Sequence, residues 1–379
     1  MVCRNTLIAS SAQMVEDPAL DMDTESFGHL MSWHSAGAIA GKLVTGPAAD
    51  RIGGRRMFLL ALSLTAMANV GFAFGSSFMI FAAFNFFGQF AKAGGWPAMT
   101  KMVGHWYPES RYGQVWSVIS TSSRVGTILA GVVLGWMLSL TGWRNVFLFS
   151  AVATAVVVAV LYWLLKDRPE QAGLPPLSDR PSDNDETLKS ESSADASDDT
   201  DAGRHPLNQL TAWQALGKFF ASGRFWFICF SIVFLTIVMD FLTFIPIYLN
   251  QSLGISAGRA SIAGSAFPAG MFVALVLTSF AYDRLSKRQL VVVLGGLLVA
   301  AIGCVFALRN LSVFPEQYHS AIAIGVIFFL GLTISPAYYV PMSVFSVSFG
   351  GKHSGFLVSL IDVCGYSGAL LFNFFGGSI

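Results

Sequence analysis

The chain has 379 residues and a formal charge of +1, and only 12% of its residues are charged while 54% are hydrophobic. A soluble domain carries roughly 25% charged residues, so this composition excludes an ordinary soluble enzyme and indicates a protein whose solvent is the bilayer. The basic residues form no continuous stripe, which argues against a nucleic-acid-binding surface. Cys3, Cys229, Cys304 and Cys364 lie in apolar segments without metal-type or redox-type spacing, and they predict neither disulfides nor a metal site.

Ten segments have the length and apolarity of spanning helices, which need about 20 residues to cross about 30 Å of hydrocarbon. They run approximately over 27–49, 57–77, 79–103, 113–138, 145–165, 225–250, 258–281, 289–308, 319–344 and 353–377. Before them, Met1 to Met14 is too short to cross a membrane and contains Arg4. Because it looks like half a helix, and because the apolar C-terminus has no polar tail, we expect a fragment truncated at both ends.

An acidic segment separates the first five of these helices from the last five. Residues 170–206 are rich in Ser, Asp and Pro and cannot bury a core. The sequence therefore predicts an N-terminal bundle over 1–168, a disordered acidic linker over 169–222 and a C-terminal bundle over 223–379. If the loop at 50–56 is cytoplasmic, the inner loops carry most of the loop lysines and arginines, as the positive-inside rule requires, and the linker is cytoplasmic too.

A charged motif follows the segment at 27–49. It comprises Gly46, Asp50, Arg51, Gly53, Arg55 and Arg56, and a shorter copy with Asp283, Arg284 and Arg288 follows the segment at 258–281. A motif repeated in two halves is typical of transporters built from two related bundles. A carboxylate at a helix end accepts charge-assisted hydrogen bonds from arginines, so we predict a gate clasp that forms in one conformation and breaks in another.

This motif resembles the loop signature of the major facilitator superfamily. The resemblance implies an all-α polytopic membrane protein with two pseudo-symmetric six-helix bundles and alternating access to a central site. About 11 of the 12 helices would be present, with helix 1 partial and helix 12 missing.

A second, ordered series resembles the organophosphate:phosphate antiporter family, which exchanges glycerol 3-phosphate or sugar phosphates. It consists of Gly95-Trp96-Pro97, His105-Trp106-Tyr107-Pro108, Arg111, Gly113, Val125-Gly126, Gly142-Trp143-Arg144, Lys166-Asp167-Arg168-Pro169 and Gly173-Leu174-Pro175-Pro176. The resemblance implies a phosphate site formed by buried basic residues between the bundles. Arg4 matches the family's first-helix arginine to within one residue, and Lys42 matches a pocket lysine.

At two places this chain has other residues than the family pattern. Ser123-Arg124 stands where the family has His-Asn, and Val238 stands where it has a second clamp arginine. Arg124 would restore a cation and Lys92 would add another, against the two carboxylates Asp240 and Asp362. Because ionised groups in hydrocarbon are costly and usually face a cavity or a partner, this excess of cations favours an anionic substrate.

These residues also have other interpretations. Lys92 could be structural, Arg124 could pair with Asp240, and Asp362 could cap or brace its helix. A carboxylate such as Asp240 in a cavity of low dielectric constant can carry a coupling proton, which would make the protein a proton-coupled symporter. His29 and His34 could extend a proton path, although histidines near a helix end are commonly interfacial.

The sequence thus predicts a secondary transporter of a small organic anion, with a phosphate ester exchanged for inorganic phosphate as the specific expectation. We expect a multi-pass integral membrane protein that acts as a monomer in the lipid bilayer, with no cofactor, no metal and no nucleic-acid partner. The predicted substrate-binding residues are Arg4, Lys42, Lys92, Arg124 and Tyr338, and Asp240 and Asp362 are predicted coupling or charge partners. The alternatives of another class are a non-transporting membrane sensor and a nonfunctional truncated product. No nucleophile–base pair appears, so we do not expect an enzyme.

Overall fold

The computed structural model describes residues 2–108, 111–175, 212–281, 284–350 and 354–376, which form helices joined by turns. The first half contains α1 (Val2–Glu16), α2 (Thr24–Ile52), α3 (Gly54–Ala73), α4 (Phe78–Ala93), α5 (Gly95–Trp106), α6 (Tyr112–Leu140) and α7 (Trp143–Leu164). The second half contains α8 (Ala212–Phe220), α9 (Gly223–Asp240), α10 (Ile245–Leu253), α11 (Ala257–Gly264), α12 (Ala266–Ala281), α13 (Lys287–Arg309), α14 (His319–Gly350) and α15 (Ser354–Gly376). Among the described residues, eight helical segments are long and apolar enough to cross a membrane. The predicted all-α membrane fold is confirmed.

Three segments that were predicted as spanning helices contain a break. The segment at 79–103 divides at Gly94, the segment at 225–250 contains a 3₁₀ turn at Phe241–Thr243, and the segment at 258–281 divides at Ser265. The sequence did not predict these breaks. Pro97, Pro246 and Pro268 each lie in the first turn after a break, where the missing proline N–H is tolerated.

The predicted linker at 169–222 is described only near its ends. Pro169–Ala172 forms a 3₁₀ turn and Ala212–Phe220 forms α8, so the prediction of disorder is wrong for these two stretches. Residues 176–211 lie outside the described residues. Ala215 and Phe219 of α8 are buried beside Phe225, and burial of this apolar face explains why α8 forms a helix. The bundle boundaries stay predictions.

Helices of the two halves pack on each other along two seams. α2 lies against α15, and α6 lies against α11 and α12. In the second seam, a Cβ atom added to Gly135 would lie 2.9 Å from the Gly258 carbonyl oxygen. The missing side chains therefore allow the two backbones to approach closely, as is usual where membrane helices meet through small residues.

Candidate substrate cavity between the helix bundles

A cavity of about 220 Å³ lies between the two halves of the molecule. Its walls come from α1, α2, α4 and α6 on one side and from α9, α12, α14 and α15 on the other. Its polar lining residues are Asn5, His34, Ser35, Lys92, Ser123, Arg124, Thr127, Thr236, Asp240, Thr243, Tyr338, Tyr339 and Tyr366. This combination of cations, hydroxyl groups and aromatic rings suits a small polar solute.

Arg124 is the cation on the α6 wall. Its guanidinium carbon lies 4.3 Å from the ring centroid of Tyr339 on α14, so a cation–π contact crosses between the two halves. Its Nε atom is buried and has no hydrogen-bond partner in the part of the chain that the structure describes. A buried donor without an acceptor costs free energy, and an anion bound in the cavity would remove that cost.

The neighbouring cation, Lys92, lies in the last turn of α4. Its Nζ atom donates a hydrogen bond to Gln89 Oε1 one turn earlier, and its side chain lines the cavity. The contact with Gln89 supports the structural interpretation, and the position on the wall supports the binding interpretation. Both stay open.

The predicted α1 residue, Arg4, precedes Asn5 on the helix that forms part of the cavity wall. Asn5 Nδ2 donates to the Thr127 carbonyl oxygen at 3.5 Å and so links α1 to α6. The side chain of Arg4 lies outside the described part of the structure, so its predicted role stays a prediction.

Lys42 is paired with a carboxylate of the other half. Its Nζ atom donates to Asp362 Oδ2 on α15 and lies 5.0 Å from the ring centroid of Tyr366. Each side chain of the ion pair is 24% exposed. Asp362 thus acts as a charge partner, and it connects α15 to α2 beside the cavity.

Asp240 ends α9 where the 3₁₀ turn begins, and it lines the second half's wall. Asn373 on α15 is fully buried, and its Nδ2 atom donates a hydrogen bond to Asp240 Oδ2. This amide orients the carboxylate. Asp240 lies at the junction between α9 and the 3₁₀ turn Phe241–Thr243, from which Leu242 and Thr243 also line the cavity.

His34 and the predicted tyrosine also lie in the cavity wall. His34 Nδ1 lies 3.2 Å from Asn85 Oδ1, and the side chain lines the cavity. Tyr338 packs edge-to-face against Tyr339 with their ring centroids 4.8 Å apart. Tyr338, which the sequence predicted as a substrate-binding residue, thus lies in the cavity wall with Tyr339 beside it on α14.

Two residues of the predicted gate motif, Gly53 and Arg55, have described contacts or geometry in the first half. Gly53 has a φ angle of +92°, which favours glycine, and it joins α2 to α3. The Arg55 backbone N–H donates to Asp167 Oδ1 at 2.9 Å, and its guanidinium donates to the Tyr162 carbonyl oxygen. Asp167 therefore holds the first turn of α3, where a carboxylate is favourable.

The other gate residues are described in part. Arg51, Arg56, Arg284 and Arg288 are exposed. Gly46 and Asp50 lie in α2, but their surroundings lie outside the described part, as does Asp283. The clasp between Asp50 and arginines therefore stays a prediction.

Tyr366, Asp167 and Asn373 are among the residues in these contacts that were not predicted as site residues. Tyr366 lies four residues after Asp362 and thus on the same helix face, a spacing that could have identified it. Asp167 was visible in the motif Lys166-Asp167-Arg168-Pro169, but its contact with α3 was not. Nothing in the sequence distinguishes Asn373. Among the described residues, no group of three or more His, Cys, Asp or Glu is arranged to hold a metal ion.

The sequence matches the family model of the Major Facilitator Superfamily over residues 3–373. Three solved structures share the fold at low identity. The first is a bacterial homologue of the human lysosomal transporter Spinster, with a TM-score of 0.72 and 17% identity over 100% of this chain and 78% of that chain. The second is the nucleoside transporter NupG, with a TM-score of 0.68 and 15% identity over 100% of this chain and 87% of that chain. The third is the xylose transporter XylE of Escherichia coli, with a TM-score of 0.64 and 14% identity over 100% of this chain and 87% of that chain.

Curated relatives support the second resemblance at modest identity. The chain is 28% identical over 268 residues to the probable hexose phosphate transport protein of Chlamydia trachomatis, covering 69% of this chain and 58% of that protein. It is 25% identical over 246 residues to the membrane sensor protein UhpC of Salmonella typhimurium (64% and 52%) and 26% identical over 222 residues to the glycerol-3-phosphate transporter of Bacillus subtilis (57% and 47%). The chain thus spans less than two thirds of the length of these relatives. They are transport proteins and a sensor, not enzymes.

Proposed function

The chain belongs to the major facilitator superfamily, and from that premise we propose that it moves a small organic anion across a membrane. The observation that carries the proposal is Arg124, whose buried Nε atom lies in the cavity wall without a hydrogen-bond partner in the described part of the chain. A guanidinium in this position offers an anion a charge-assisted hydrogen bond, which is stronger than a neutral one.

We further propose that the anion is a phosphate ester that exchanges for inorganic phosphate. The names of the relatives from Chlamydia and Bacillus, which refer to hexose phosphate and glycerol 3-phosphate, support this substrate class. The second cation in the wall, Lys92, supports it too, because a phosphate monoester carries between one and two negative charges at neutral pH.

Alternating access is supported by the contacts between the two halves. The ion pair of Lys42 with Asp362 and the stacking of Arg124 on Tyr339 are both side-chain contacts, which can break without unfolding either bundle. Movement of one bundle against the other around a central site is how transporters with repeated halves expose that site to each side in turn.

Exchange in liposomes tests the proposal. Vesicles containing the purified chain are loaded with labelled phosphate, and efflux is measured after external addition of glycerol 3-phosphate, glucose 6-phosphate or uncharged glycerol. We expect efflux that requires an external phosphate ester and that Lys42→Ala weakens. Absence of efflux with every ester, in vesicles shown to contain folded protein, would refute phosphate exchange.

A proton-coupled symporter is the second candidate, and Asp240 in the cavity wall favours it. In the same vesicles, uptake that needs an imposed pH gradient but no internal phosphate would support this mechanism, and Asp240→Asn would abolish it. A sensing role is a third candidate, because one relative is a membrane sensor. Ligand binding without any transport would support that role.

A further inference from the structure

We propose that a small side pocket, which adjoins the substrate cavity, binds one hydroxyl group of the transported ester and that Ser265 recognises this hydroxyl. The inference rests on the proposed transport of a phosphate ester and specifies which part of the ester the protein distinguishes. Arg124 would bind the phosphate that all substrates share, while Ser265 would determine specificity among the esters.

The side pocket and the substrate cavity share five lining residues, which are Asn5, Ile8, Thr127, Leu242 and Pro268. The volume of the side pocket is about 30 Å³. Because a water molecule needs roughly 10–15 Å³, this space accommodates a group of the size of one or two waters. The described residues that line it are all uncharged, so they provide no counter-ion for an ionised group. A hydroxyl group matches both the size and the neutrality of the pocket.

Two helix breaks meet at the side pocket. Pro246 follows the break after α9, Pro268 follows the break after α11, and both line the pocket. Because proline has no N–H, neither residue can donate a hydrogen bond to the carbonyl group four positions earlier. Those carbonyl groups belong to Leu242 and Gly264, which also line the pocket. The breaks thus remove the helical donors of two lining carbonyl groups, and a bound hydroxyl group can donate to such acceptors.

Ser265 carries the inference. It lies at the break between α11 and α12 and is 8% exposed. Its Oγ atom is buried and has no hydrogen-bond partner within the ranges that the structure describes. A buried hydroxyl group without a partner costs free energy, and a ligand hydroxyl could either donate to it or accept from it. Gly131 on α6 leaves room for this side chain, because an added Cβ atom there would overlap Ser265 Oγ.

The position of Ser265 against α6 specifies how far the hydroxyl lies from the phosphate. Gly131, which lies against Ser265, follows Arg124 by seven residues, a rise of about 10 Å along the helix. An extended chain gains about 1.2 Å per bond. A hydroxyl seven bonds from phosphorus therefore spans about 8 Å, and the arginine side chain covers the remainder. A hydroxyl four bonds away spans only about 5 Å and stays near Arg124.

Two matched pairs of ligands test the side pocket. Dissociation constants of the purified chain are measured by calorimetry in detergent for inorganic phosphate, for pentyl and 5-hydroxypentyl phosphate, and for ethyl and 2-hydroxyethyl phosphate. The members of each pair differ only in a terminal hydroxyl group. We expect 5-hydroxypentyl phosphate to bind about fivefold more tightly than pentyl phosphate, because it alone provides a hydrogen bond to Ser265. The two short esters should agree within about twofold.

Variants assign the preference to Ser265. Ser265→Ala should bring the ratio of the long pair to about one and change phosphate affinity by less than about twofold. Gly131→Ala should reduce the same ratio, because the added methyl group displaces the serine side chain. Ser279→Ala is the matched control, since it removes an exposed serine hydroxyl from α12. The wild-type ratio tests the side pocket even if a variant fails to fold.

Each outcome supports or overturns the inference. If phosphate and the esters bind but the long pair shows a ratio near one, the inference fails and anion binding stands. If the short pair shows the same preference as the long pair, the hydroxyl is bound near Arg124 and not in the side pocket. If the preference persists in folded Ser265→Ala, the assignment to Ser265 is wrong. If none of the ligands binds to folded protein, both proposals fail.

Discussion

Lys42 on α2 and Asp362 on α15 form an ion pair that joins the two halves of the molecule. The Lys42 ammonium also lies 5.0 Å from the centroid of the Tyr366 ring, so one cation has two partners on the same helix. Because both charged side chains are mostly shielded from water, their attraction is stronger than that of a surface pair. The two halves can separate at this seam only if the pair breaks.

Removing one partner of this pair should destabilise the protein. Asp362→Asn leaves the Lys42 ammonium without its counter-ion, and we expect the free energy of unfolding to fall by roughly 1–3 kcal/mol. This loss is smaller than for a fully buried pair, because 24% of each side chain is exposed. The thermal midpoint in detergent measures it. A double-mutant cycle with Lys42→Met isolates the coupling. If the two single effects simply add, the pair contributes nothing.

A second prediction follows from the close contact of α6 with α11. A Cβ atom at Gly135 would lie 2.8 Å from Ile262 Cγ1 and 2.9 Å from the Gly258 carbonyl oxygen. Gly135→Ala should therefore force the helices apart and cost about 1–3 kcal/mol, seen as a lower thermal midpoint. Gly295→Ala on α13 is the matched control, because no heavy atom lies within 4 Å of its added Cβ. Equal midpoints for the two variants would contradict the packing argument.

A third prediction follows from the contact of Asp167 with α3. Its carboxylate accepts the Arg55 backbone N–H in the first turn of that helix, so Asp167→Ala should leave this donor without its partner and cost about 1 kcal/mol locally. Hydrogen exchange at residues 54–57 should accelerate several-fold. Arg168→Ala, which removes the exposed neighbour, should leave these amides protected. Unchanged exchange in Asp167→Ala would show that the carboxylate does not hold the helix.

The sequence could predict the spanning segments because hydrocarbon thickness dictates their length and apolarity. It did not locate the breaks at Gly94 and Ser265, because the length and mean apolarity of a spanning segment do not report a single turn within it. The signal lay in Pro97 and Pro268, three residues after each break. A proline well inside a predicted spanning segment is compatible with either a kinked helix or a new first turn, and only packing decides between them.

The candidate site was predictable in its residue types but not in its pairs. Buried cations and carboxylates stand out in an apolar sequence, so Lys42, Arg124 and Asp240 were recognisable. Asp362 lies 320 residues after Lys42, and its pairing depends on how α2 docks on α15. Likewise, the stacking of Arg124 on Tyr339 follows from the relative position of the two bundles, which no local pattern encodes.

A fourth prediction concerns pH and the start of α2. The Ser26 backbone N–H donates to Asp23 Oδ1 at 2.8 Å, and this hydrogen bond lowers the pKa of the Asp23 carboxyl below its ordinary value of 3.8. A lowered pKa in the folded state means that the charged form stabilises the fold above the ordinary value and that this stabilisation is lost as the pH falls through the lowered pKa. Asp23→Ala should therefore reduce the thermal midpoint by a constant amount from pH 5 to 8, with the difference narrowing only below about pH 4. Asp23→Asn retains the cap without the charge, and a midpoint difference that disappears near pH 6 would assign the effect to another group.

The last prediction separates charge from geometry at Arg124. Its guanidinium stacks 4.3 Å from the centroid of the Tyr339 ring, and its Nε atom is buried without a hydrogen-bond partner in the described part of the chain. Arg124→Gln should weaken phosphate binding by about 10- to 100-fold, because a hydrogen bond to a charged group contributes about 1.5–3 kcal/mol.

Arg124→Lys keeps the charge but loses the planar group that lies on the ring, so we expect an intermediate affinity and not a wild-type one. Calorimetry with phosphate measures all three proteins, and Arg259→Gln, which removes an exposed arginine near the start of α11, is the matched control. If Arg124→Lys binds as tightly as the wild type, the charge alone matters and the stacking on Tyr339 does not position the cation. If Arg124→Gln binds as tightly, Arg124 does not contact the anion and the cavity binds it through other residues.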